Sequence, residues 1–158
     1  LTLELFKTRT GIDVKHIPFR GSAPLALEIV GERIDLSLAT VPTVLGQIQS
    51  GDMIALALAS DTRSPQLPDV PLLKDQGVTG AEGDAWLALF VPAAAPKSVS
   101  DRLFKSIASA LAKPDVRANA TKQGIAVNLR DGSAFTTYWT ADFKKWSDVV
   151  KAAGIKIE

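Results

Sequence analysis

Hydrophobic and polar positions alternate between two periods along this chain, and the switch between them sets out its elements. Leu1, Leu5 and Phe6 recur at helical spacing up to Thr10, with Gly11 placed to stop the helix. Val14 to Phe19 alternates and is rich in β-formers, which predicts a strand. Arg20-Gly21-Ser22-Ala23-Pro24 then predicts a sharp turn at Gly21, an N-cap at Ser22 and a first helical turn at Pro24, with the helix running to Val30 and closed by Gly31. The unit repeats: a strand from Ile34 to Ala39, Thr40-Val41-Pro42, a helix through Ile48, and a stop at Gly51. Ile54 to Ser60 reads as a third strand, followed by a proline-rigid loop and a short helix near Leu72 to Gln76. Ala85 to Val91 is almost wholly apolar, as expected of a fourth strand buried on both faces. Strands and helices alternating at this spacing predict an α/β fold with a mostly parallel sheet flanked by helices.

Beyond Val91 the pattern becomes mostly helical. Val99, Leu103, Ile107 and Leu111 mark one helix face, Pro114 opens a second helix that Gly124 closes, and Ala126 to Leu129 reads as a strand. Phe135, Trp139, Phe143, Trp146, Val150 and Ala153 stripe a long final helix ending at Gly154. Residues 1–96 hold 7 basic and 11 acidic side chains, whereas residues 97–158 hold 11 and 6. This shift agrees with a lobe boundary near Pro92 to Pro96, and equally with a chance imbalance of solvated faces.

Composition narrows the function. The 158 residues are 46% hydrophobic and 22% charged, enough for a globular core, and 18 basic against 17 acidic residues leave +1. That balance lacks the electrostatic footprint of a nucleic-acid binder, so no nucleic acid is expected as a partner. Without cysteine there can be no disulfide, thiolate zinc site or cysteine nucleophile. The longest apolar stretch, Ala85 to Pro96, is too short to span a bilayer. No export signal stands at the start, and the chain opens at Leu1 as if within a helix, so a fragment is expected.

Catalytic chemistry finds no footing. His16, the single histidine, lies within a predicted strand and reads as structural. Ser22 is outside any nucleophile elbow and has no base other than His16. No phosphate-cradling glycine motif occurs, so no cofactor, metal or catalytic residue is expected. What remains is binding at two strand-to-helix handovers, Arg20 to Pro24 and Ala39 to Thr43. In a parallel sheet such ends line one crevice, and each helix start offers unpaired N–H groups and a positive dipole end to an anion. Arg20, Ser22, Thr40 and Thr43 add donors there. On composition alone, ordinary helix capping by Ser22 and Thr40 is the preferred account of the same residues.

Ile17-Pro18-Phe19-Arg20-Gly21-Ser22-Ala23-Pro24 resembles the V-P-Y-(K/R)-G-S-x-P stretch of the solute-binding proteins of tripartite tricarboxylate transporters, the Bug family. Gly31 to Leu36, Leu56 to Ser60, Arg63-Ser64 and Leu67-Pro68-Asp69-Val70-Pro71 are similar to further family motifs in the same order, as are Trp86 with Val91-Pro92-Ala93 and Pro96, Lys113 to Arg117, and Trp146 through Gly154. The resemblance spans the chain. It implies a type II periplasmic binding-protein fold, with residues 1–88 forming the second α/β lobe and 89–158 returning, mostly as helix, into the first, whose N-terminal part is missing. It also implies a non-enzymatic periplasmic receptor with membrane permease subunits as partners, whose small carboxylate is held by the loop at Gly21, Ser22 and Ala23; Arg20, Thr40, Thr43 and Trp86 complete the expected ligand-binding set. Where the family often has Asp-Asn this chain has Ala39-Thr40, and Leu72 stands where Thr is common. A half-built lobe would expose apolar surface, so self-association is expected. The alternative is the effector-binding domain of a LysR-type regulator, which shares the two-lobed plan.

Overall fold

The computed structural model describes residues 1–155. Six α-helices follow in order: α1 (Thr2–Thr10), α2 (Ser22–Val30), α3 (Val41–Ser50), α4 (Lys97–Leu111), α5 (Pro114–Lys122) and α6 (Gly132–Ala152), with a single 3-10 turn at Leu73–Gln76 between α3 and α4. Each expected helix is present. Gly11 and Gly51 leave α1 and α3 in the left-handed conformation at φ 70° and 87°, as their role as stops requires.

Sheet structure does not follow the expectation. The segments read as strands, 14–19, 34–39, 54–60, 85–91 and 126–129, form no named strand among the described residues. A single parallel bridge joins Leu58 to Leu72: Leu58 donates to the Pro71 carbonyl (2.8 Å) and accepts from the Leu73 N–H (3.0 Å). The difference between the two kinds of element is physical. A helix satisfies its backbone within one segment, whereas a strand exists only through a neighbour, and beyond the bridge at Leu58 these segments form no ladder among the described residues.

The core is small and lies entirely in the first half. Leu45 of α3, Leu58, Leu67 and Leu72 form its centre, with Val41, Ile48 and Val70 packed around them. The proline-rich loop can close over this cluster because it is pinned: Leu67 N–H reaches the Ser64 carbonyl (3.1 Å), and Asp75 takes both Arg63 (2.6 Å) and the Leu72 N–H (3.2 Å). Among the described residues all buried ones fall between Leu5 and Ala81, and α4, α5 and α6 contain none. Helix α2 packs on α3, and α4 on α5.

The fourth expected strand is therefore corrected in burial as well as in pairing. Leu87 is 93% exposed, Leu89 82% and Phe90 75%, and Ile54 on the third segment is 85% exposed. Apolar runs of this kind are built to be covered on both faces, and the described residues do not cover them.

Candidate functional site

At Arg20 to Pro24 the chain turns in a way only glycine permits. Gly21 has φ 101° and ψ 172°, a region closed to side chains by the clash of Cβ with the backbone, and its N–H folds back to the Phe19 carbonyl (3.0 Å). Gly21, rather than Ser22, is consequently the N-cap of α2, and Ser22 is the first helical residue, with no side-chain cap bond. The expectation of Ser22 as a cap is corrected: one residue further into the helix, its hydroxyl no longer reaches the amides that a cap serves.

That shift leaves a defined set of donors. Pro24 has no N–H and that of Gly21 is taken, so the Ser22 and Ala23 amides remain, joined by the Ser22 hydroxyl, with no partner among the described residues. No acidic residue stands in the first turn of α2. Half-buried Ser22 is flanked by exposed Arg20 and Ala23. Positive helix end, two amides and a hydroxyl suit a carboxylate oxygen pair.

The start of α3 is organised differently. Thr40 is its N-cap by backbone conformation (φ −77°, ψ 139°) and makes no side-chain cap bond. Its Oγ1 instead lies 2.9 Å from that of Thr43, whose N–H donates to the Thr40 carbonyl (3.0 Å). The two threonines are thus brought together and satisfy one another.

Trp86 is drawn to α6 instead. Its indole N–H donates to Asp142 (3.0 Å), and its ring meets Phe135 edge-on at 5.3 Å between centroids. Asp142 is only 10% exposed at its side chain and also pairs with Lys145 (3.3 Å), whose ammonium reaches the Glu82 carbonyl (3.2 Å). Asp142 escaped the sequence reading. Its signal was its position: it lies seven residues after Phe135 and four before Trp146, on the apolar stripe of α6, where a carboxylate needs a buried partner.

Nearby, burial first and then the Asp142 and Asp84 carboxylates hold the Tyr138 phenol above its usual range, while Arg130, 3.9 Å over the ring, works against them. His16 has its Nδ1 3.0 Å from Glu4 of α1, a contact that ties segment 14–19 to the first helix. Among the described residues no group of three or more His, Cys, Asp or Glu is placed to hold a metal. Two open concavities lie elsewhere, one of about 400 Å³ along Lys105, Ser109 and Lys113 and one of about 340 Å³ along Phe143, Trp146 and Val150.

Comparison with known proteins decides the family. The sequence model described as "Tripartite tricarboxylate transporter family receptor" matches residues 1–155. The chain belongs to this family. Protein BugT of Bordetella pertussis is 28% identical over 158 residues, covering 100% of this chain and 48% of BugT. Among solved structures, the R. palustris protein Rpa4515 with adipate is 26% identical with a TM-score of 0.87, over 98% of this chain and 52% of that one. A structure described as a periplasmic transporter is 32% identical with a TM-score of 0.88, over 99% and 52%. The family and its solved members are solute-binding receptors rather than enzymes. The chain spans about half the length of the curated relatives it matches. Among the described residues no helix is long and apolar enough to cross a membrane.

Proposed function

We propose that this chain is part of a periplasmic receptor that captures a small carboxylate and delivers it to the membrane permease subunits of a tripartite tricarboxylate-type transporter. The observation that carries the reading is the start of α2, where the Ser22 and Ala23 amides and the Ser22 hydroxyl stand without partners at a positive helix end. Arg20 adds long-range attraction, Gly21 sets the turn, and Thr40 and Thr43 supply a less open second contact. Trp86 contributes its ring, since its N–H is engaged by Asp142. Adipate bound to a protein of the same fold supports a carboxylate as the solute, and the family match favours a receptor over the effector domain of a regulator.

The confinement of the core to residues 5–81 supports a division into a lobe over 1–88 and a helical return over 89–158. Self-association through the exposed apolar side chains Ile54, Leu56, Leu87, Leu89 and Phe90 belongs to the same reading. A strictly monomeric species in sedimentation in the tens of micromolar range would remove that part of it.

Calorimetric titration of the chain with adipate, then with mono- and tricarboxylates, tests the central claim. Saturable binding that is lost when both carboxylates of adipate are masked as methyl esters is the expected result. Equal binding of the diester, or no binding of any free acid, would overturn it.

A further inference from the structure

Among the described residues three helical turns close alike on a glycine, and the end of α2 closes in the same way on Glu32 (φ 55°). Gly77, Gly124 and Gly154 are left-handed at φ 83°, 76° and 63°. Each donates its N–H to a carbonyl three residues back (Lys74 3.1 Å, Thr121 2.9 Å, Lys151 3.3 Å), while the following residue donates to one five back (Val78 to Leu73 3.0 Å, Ile125 to Ala120 2.9 Å, Ile155 to Val150 3.1 Å). This paired closure explains a glycine at each position by backbone conformation alone.

Only Gly124 answers a second demand. A Cβ at Gly77 or Gly154 would meet nothing within 4 Å, whereas one at Gly124 would fall 2.8 Å from Val41 Cγ1 and 3.6 Å from the Pro42 nitrogen. The end of α5 therefore rests on the first turn of α3, some eighty residues earlier in the chain. Val41 also packs on the leucine core, so it cannot retreat freely. Pro42 has no N–H and that of Thr43 is bonded to Thr40, which makes Val41 N–H the first-turn helical amide of α3 left without a partner among the described residues.

We infer that Gly124 is a positioning residue for the carboxylate site. Its bare Cα lets the helical return region seat Val41, and through it the Thr40–Thr43 pair and the Val41 amide, at one fixed place. The affinity side of this inference rests on the receptor reading above, whereas its structural side does not.

The test compares Gly124→Ala, Val41→Ala, the double variant and Gly77→Ala. Gly77→Ala imposes the same backbone strain with no neighbour to strike. Gly124→Ala is expected to weaken adipate binding at least about threefold and to move the amide chemical shift of Thr43. The double variant is expected to return both toward the Val41→Ala values, and Gly77→Ala to change neither. Equal effects of the two glycine substitutions, or no rescue by Val41→Ala, would overturn the inference. Should the unaltered chain bind no carboxylate, the receptor reading fails, and the Thr43 shift still decides whether Gly124 positions α3.

Discussion

The starts of α2 and α3 are written in similar residues, Arg-Gly-Ser-Ala-Pro and Ala-Thr-Val-Pro-Thr, and leave different donors open. At α2 a glycine occupies the cap, and the hydroxyl falls one place inside the helix, so two amides and an alcohol stay open. At α3 the hydroxyl residue occupies the cap, yet turns to a second hydroxyl one turn later and closes on itself. The start of α6 provides a third case, with Asp131 accepting the Ala134 N–H at 2.8 Å as an ordinary cap. A hydroxyl near a helix start is therefore neither a cap nor a ligand contact by type. One residue of register, set here by the backbone of Gly21, decides which it is.

The strongest way to break this contrast is Gly21→Ala. A side chain at φ 101° is expected to lower unfolding free energy in urea by about 1–3 kcal/mol and to abolish adipate binding by rotating Ser22. Ser22→Ala comes next: because the hydroxyl makes no cap bond, stability should stay within about 0.5 kcal/mol, while affinity in calorimetry falls about tenfold. Asp131→Ala should show the reverse pattern, losing about 1 kcal/mol of stability in urea with affinity unchanged. Thr40→Val, which breaks only the mutual hydroxyl pair, is expected to lower stability by less than about 1 kcal/mol and affinity by less than about threefold.

The smallest effect expected is alkaline. Tyr138 is the single tyrosine, so phenolate absorbance reports it alone. Its folded pKa is raised by burial above the unfolded value of about 10. Below that value both states hold the proton and the contribution to stability is intact. As pH rises toward the folded pKa the unfolded state ionises first, so stability falls. Tyr138→Phe should flatten that alkaline decline, and an unchanged slope would remove burial of the phenol as its cause.

The helices were legible because their signals are local: Gly11, Gly31, Gly51 and Gly124 punctuate apolar periodicity, and each stands at a helix end. Ala85 to Val91 shows the other side. Its composition predicts a segment buried on both faces, but composition carries no information about which neighbour would cover it, and Leu87 and Leu89 stand in the open. Of the candidate site, the turn at Gly21 and the placement of Ser22 beside it could be read in order, whereas the cap assignment turned on a single backbone angle. Asp142 was hidden because a lone acid on a helix ordinarily faces solvent, and only its place on the aromatic stripe betrays the tryptophan it holds.

Segment 80–83 carries one more consequence. Arg9 of α1 donates to the Gly80 carbonyl (3.0 Å), Lys145 of α6 to that of Glu82, and the Gly83 N–H reaches the Ala59 carbonyl (2.9 Å). The first and last helices are thereby stitched to the same four residues. A substitution that moves Gly80 or Glu82 would be felt by α1 and α6 together, so these two helices are best perturbed as one place rather than two.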